Sequence, residues 1–133
     1  MGGALAMAYG RLVQSIWAAQ QGAVVPREFK MALARYAPQF MGYAQQDSQE
    51  LLAFLLDGLH EDLNRIHRKP YIEAPDWTGG SDADMVRFAQ QQWDLYKARN
   101  DSVIVDLFQG QYRSTLVCPA VSYTHLTLPT SDL

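Results

Sequence analysis

The stretch Gly42-Tyr43-Ala44-Gln45-Gln46-Asp47-Ser48-Gln49-Glu50-Leu51-Leu52, running on to Asn64, turns abruptly from polar to apolar. Asp47 stands where a helix N-cap belongs, and Glu50 follows three residues later, the spacing of a capping box. Both acids would face the positive end of the helix dipole. Beyond them Leu52, Leu55, Leu56, Leu59, Leu63 and Ile66 recur at three- and four-residue steps and form one apolar stripe. Leu51 and Phe54 widen the stripe, so the helix is expected to be buried on more than one side. Asp57, Glu61, Asp62 and Arg65 fall on the remaining face, with Glu61 and Arg65 spaced for an ion pair. Pro70 is expected to stop the helix after Arg68-Lys69. Read from pattern alone, Asp47 and Glu50 are structural, because helix caps far outnumber binding sites.

Two helices precede this one. The first is expected over residues 4–20, with Leu5, Tyr9, Leu12, Val13 and Ile16 on one face and Gly22 after its end. Pro26 opens the second, where a missing N–H costs nothing. Phe29, Leu33 and Tyr36 line it until Pro38 breaks it. After the long helix, residues 69–80 are too rich in proline and glycine for regular structure. Ser81 and Asp84 then repeat the capping-box spacing, and Met85, Ala89, Trp93 and Tyr96 give a fourth helical stripe ending near Asn100. Val103-Ile104-Val105 is β-branched and reads as strand by propensity, and residues 111–118 alternate as a strand does. The fold class is mainly α with a C-terminal β segment, and no further strands are evident to complete a sheet.

Composition narrows the function classes. A chain of 133 residues with 48% hydrophobic content suffices for one domain with a core. A net charge of −3 and a pI near 5.5 give no basic footprint, so nucleic acid is not an expected partner. No apolar run is long enough to span a membrane, and residues 1–20 lack the pattern of a signal peptide. A single cysteine excludes an internal disulfide and fits an intracellular location, cytoplasmic or nuclear.

Several motifs in order carry a resemblance to the ubiquitin-specific proteases, the cysteine-type deubiquitinases of the ubiquitin carboxyl-terminal hydrolase class. They are Ala8-Tyr9 with Leu12-Val13 and Trp17, Phe40 through Asn64, Lys69-Pro70-Tyr71-Ile72-Glu73 with Pro75-Asp76-Trp77, residues 99–111, and Ser114-Thr115-Leu116-Val117-Cys118-Pro119. The resemblance covers residues 1–119, and residues 120–133 read as an unrelated or aberrant tail. It implies part of a papain-like α+β hand, namely thumb helices leading into palm and fingers, and a helical turn rather than a strand at residues 102–108. It implies hydrolysis of the (iso)peptide bond after ubiquitin's C-terminal glycine, with ubiquitin or a ubiquitinated protein as partner. That chemistry needs a thiolate, a histidine base and an Asn or Asp to orient the base. The family's Gly-Asn-Thr-Cys-type box and its histidine box do not occur in this sequence, so the chain is expected to be an inactive fragment beginning at an internal position.

The resemblance also places Gln45, Asp47 and Glu50 beside the arginine-containing tail of ubiquitin. Asp47 is then either a tail receiver or a cap alone, while Glu50 stays closer to a structural role. Cys118 matches the first ligand of a zinc knuckle in the family's fingers, but the second ligand position holds Val121. No metal or other cofactor is therefore expected in this chain. Cys118 has no basic neighbour or helix N-terminus to activate it, so it is not a nucleophile candidate. His60 and His67 read as solvated surface residues, Trp17, Trp77 and Trp93 as core or loop packing, and His125 has no assigned role. The competing reading is a non-catalytic helical adaptor, with apolar surface left uncovered and prone to self-association.

Overall fold

A computed structural model describes residues 2–18, 22–117 and 124–127. It contains helices α1 (Ala4–Ala18), α2 (Arg27–Tyr36), α3 (Ser48–Leu63), α4 (Asp82–Lys97) and α5 (Val103–Phe108), with a 3-10 turn at Pro38–Phe40. Strands β1 (Ser114–Val117) and β2 (Thr124–Thr127) form an antiparallel pair. The chain divides after Asn64 into two compact units.

In the first unit α1, α2 and α3 pack on one another. Leu5, Ala8, Leu33, Ala34, Ala37, Phe40 and Leu59 are buried. Phe40 meets Phe54 edge-on, with ring centres 5.8 Å apart, an arrangement aromatic pairs favour. The close approach happens at Gly58. A Cβ there would lie 2.6 Å from Leu5 Cδ2 and 3.1 Å from the Tyr36 ring, so hydrogen is the only side chain that fits without movement. Polar groups join the same helices. The Tyr36 hydroxyl donates to Asp57. Burial, then that bond and the charges of Asp57 and Glu61, push the phenol above its ordinary range.

Asp62 supplies what the start of α1 lacks. The segment Gly2-Gly3 offers no capping oxygen, and the Asp62 carboxylate accepts from the N–H groups of Gly3, Leu5 and Ala6 at 3.3, 2.8 and 3.1 Å. An anion on otherwise orphaned N–H groups at the positive end of a helix is doubly favourable. The polar face of α3 therefore serves as a seam to α1 and α2 rather than as a solvated face.

Several sequence expectations need correction here. The third helix ends at Leu63, not near Pro70, because Asn64 turns extended and Arg65 is committed elsewhere. Its N–H donates to Asp101 O at 2.9 Å and its guanidinium to Asp101 Oδ1 at 2.7 Å, so it pairs with Asp101 and not with Glu61. Ile66 thus lies outside the helix, and Leu52 and Leu63 at the ends of the stripe are exposed. His60 is buried, with its Nε2 3.9 Å from Glu61, whereas His67 is exposed as expected. Trp17 is 86% exposed and is not core.

In the second unit Ser81 and Asp84 form the full capping box of α4. Trp77 packs on Phe88 and Trp93 stacks on Tyr96, while the Gln92 side-chain amide on α4 donates to Pro75 O and the Gln111 side-chain amide donates to Ala89 O of α4. Val103-Ile104-Val105 is helical, against its propensity and in line with the family resemblance. Ser102, wholly buried, accepts from the Val105 N–H at 3.3 Å, and burial of Ile104 and Val105 outweighs their β preference. The strand expected over residues 111–118 is confined to Ser114–Val117. It pairs with residues 124–127, inside the tail that has no assigned role, in the register Ser114↔Thr127 to Val117↔Thr124.

Candidate functional site

The segment from Gly42 to Glu50 links the 3-10 turn to α3 and is exposed throughout. Gly42 adopts φ of 85°, a left-handed value natural to glycine, within the bend that precedes residues 44–47. Asp47 ends the segment with φ −71° and ψ 127°, the extended geometry of an N-cap. Its Oδ1 accepts from Gln49 N at 2.7 Å and from Glu50 N at 3.4 Å. Both bonds fall on one oxygen. Among the described residues nothing donates to Asp47 Oδ2, which remains an open acceptor in solvent.

Gln45, Asp47 and Glu50 thus lie within six exposed residues at the start of α3, two of them carboxylates. Glu50 adds charge in the first turn of α3, where the dipole favours it. The N–H groups of Gln49 and Glu50 are taken up by the cap, and the acceptors the segment offers are a carboxylate oxygen, a second carboxylate and the oxygen of a side-chain amide. Such a set suits a guanidinium.

Beside this segment is a groove of about 470 Å³ between α2 and the turn, lined chiefly by Arg27, Lys30, Met31, Arg35, Met41 and Tyr43. Lys30 holds the two walls together by donating to Gly42 O, with its ammonium 4.3 Å from the centre of the Tyr43 ring. This groove has no recognisable signature in the sequence. Its signal was the i, i+3, i+4, i+8 spacing of Arg27, Lys30, Met31 and Arg35, which mixes charge with methionine and resembles no familiar motif.

Cys118 falls outside the described residues, so the structure places neither it nor its zinc-knuckle match. Among the described residues no three His, Cys, Asp or Glu side chains cluster as a metal site would require. No helix among the described residues is long and apolar enough to cross a membrane.

Comparison with known proteins converges on one family. A family model described as ubiquitin carboxyl-terminal hydrolase matches residues 2–130. Ubiquitin carboxyl-terminal hydrolase 8 of Arabidopsis thaliana is 60% identical over 119 residues, 90% of this chain and 13% of that protein. Ubiquitin carboxyl-terminal hydrolase 9 of the same plant is 58% identical over 127 residues, 96% of this chain and 14% of its own length. Ubiquitin carboxyl-terminal hydrolase 4 of Bos taurus is 51% identical over 137 aligned residues, 97% of this chain and 14% of that protein. The chain thus spans about one seventh of the relatives it matches.

Proposed function

Because the chain belongs to the ubiquitin carboxyl-terminal hydrolase family, we propose that it is the tail-receiving part of a cysteine-type deubiquitinase. On this reading α1 to α3 are thumb helices of the papain-like hand, working in the cytoplasm or nucleus. Asp47, with Gln45 and Glu50, receives an arginine of ubiquitin's extended C-terminal tail and holds the scissile bond in register for a nucleophile and base that these 133 residues do not provide. The chain alone binds and does not cleave.

The observation that carries this reading is the division of labour on Asp47. Oδ1 serves the helix, and Oδ2 is left in solvent, with the exposed carboxylate of Glu50 three residues further on. One residue is therefore able to cap α3 and meet a cation at the same time.

Calorimetric titration with a synthetic peptide of ubiquitin's tail tests it. Asp47→Asn keeps the cap, since asparagine caps about as well as aspartate, and removes the charge. Affinity is expected to fall by about 1.5–3 kcal/mol at unchanged melting temperature. Unchanged affinity would leave Asp47 as a cap only, and no binding by the parent chain would sink the reading outright. Asp47→Ala separates the two roles further, costing stability as well as affinity.

A second reading, a non-catalytic adaptor, draws support from the large apolar side chains of Trp17, Tyr71, Leu107 and Tyr112, all strongly exposed. It predicts concentration-dependent self-association in sedimentation experiments, with the tail peptide having no effect.

A further inference from the structure

The groove between α2 and the Gly42 turn has a composition that the tail site does not explain. Part of its lining is apolar and adaptable, with Met31, Met41 and Tyr43 all exposed. The rest is cationic, from Arg27, Lys30 and Arg35. Lys30 is spent on fastening the turn, but among the described residues the guanidinium groups of Arg27 and Arg35 have no partner. Arg27 is also badly placed for its own helix, since a cation in the first turn of α2 opposes the dipole. The chain as a whole carries net charge −3, so this is a local reversal of sign over an uncovered apolar surface.

We propose that this groove binds an acidic peptide segment carrying one apolar anchor, recognised in extended form. Geometry sets the spacing. Arg27 and Arg35 are eight residues apart on α2, roughly 12 Å along its axis at about 1.5 Å per residue. An extended peptide at about 3.3 Å per residue covers that distance in about four residues. Residues i, i+2 and i+4 of such a peptide share one face. Acidic side chains at i and i+4 meet Arg35 and Arg27, and the apolar side chain at i+2 enters between Met31 and Met41. The ligand is the chemical opposite of an arginine-bearing tail, so the two sites do not compete for one segment.

The test uses the full 133-residue chain and a fluorescein-labelled peptide with Glu-Ser-Leu-Ser-Glu at its centre, followed by anisotropy at low salt. Saturable binding is expected, with no binding of the Lys-Ser-Leu-Ser-Lys counterpart. The double variant Arg27→Ser, Arg35→Ser should bind about five- to tenfold more weakly at an unchanged melting temperature, as two solvent-exposed ion pairs allow. Met31→Ser should weaken the leucine probe while leaving a Glu-Ser-Ser-Ser-Glu probe unaffected. Equal binding of the acidic and basic probes, undiminished binding by the folded arginine variant, or no binding of the acidic probe would each overturn the proposal. So would complete displacement of the probe by a short oligonucleotide at equal charge concentration, since that would mark a general anion surface.

Discussion

α3 and α4 are each 16 residues long, and each begins at an oxygen-bearing cap with an acid three residues further on. Their environments then diverge. In α4 the box is closed: Asp84 Oδ2 accepts from the Ser81 N–H at 2.9 Å and from its hydroxyl at 2.6 Å, and Oδ1 is taken by Arg87. In α3 the cap is half open, with both bonds on one oxygen of Asp47. Along their lengths the contrast runs the other way, since α3 buries Gly58, Leu59 and His60 and α4 buries no residue fully. A helix fixed by its middle can leave its start available for binding. A helix held weakly along its length relies more on a closed start.

The largest expected effect tests the fixed middle. Leu59 is 5% exposed, and Leu59→Ala should cost about 2–5 kcal/mol in denaturant unfolding, as cavities in packed sites do. On α4 the matching truncation Val86→Ala, at a position 70% exposed, should stay within about 0.5 kcal/mol. Comparable losses in the two helices would erase the distinction.

Gly58→Ala sharpens the same point at smaller scale. The added methyl meets Leu5 on one side and the Tyr36 ring on the other, a conflict worth about 1–3 kcal/mol. Removing glycine from a helix interior returns up to about 1 kcal/mol, so a modest net loss is expected in thermal unfolding. A net gain would mean that the three helices are more loosely packed than their distances imply.

The two helix starts were legible in the sequence because capping is local chemistry, carried by residues three apart in the chain. Asp47 and Ser81 sit where that chemistry puts them. The end of α3 was not legible, because what competes with the helix is Asp101, 36 residues beyond Arg65. The role of Asp62 was hidden for the same reason: its partners are the N–H groups at the start of α1, 56 to 59 residues away. At Val103-Ile104-Val105, propensity pointed to a strand, and a buried serine cap together with burial of two of the three side chains outweighed it. The edge at Gln45, Asp47 and Glu50, proposed to receive the tail, was visible as a charged junction, whereas the division of labour between the oxygens of Asp47 is a fact of geometry alone.

Replacing each cap by alanine probes the open start against the closed one. Asp47→Ala and Ser81→Ala should each cost about 1 kcal/mol of stability, in line with other cap deletions. Only Asp47→Ala should also reduce binding of the ubiquitin-tail peptide. If Ser81→Ala reduced it equally, the loss would reflect general unfolding and the open oxygen of Asp47 would have no special part.

The smallest effect concerns acid. Hydrogen bonds from the Ser81 side chain and backbone, with a further one from Arg87, hold the Asp84 carboxyl below its ordinary value near 3.8. A carboxyl with a depressed folded-state value stabilises the fold fully above its unfolded value, and that contribution is lost as pH falls through the folded value. The window therefore opens just below pH 3.8 and extends downward. Asp84 is exposed at the surface, so solvent and salt screen the effect and it should be small. Circular dichroism through this window should show the parent chain losing helix that an Asp84→Asn variant has already lost, so that the difference between the two narrows as the pH falls. A constant difference down to the lowest pH would mean that Asp84 closes its box through geometry alone, and that its charge adds nothing to the start of α4.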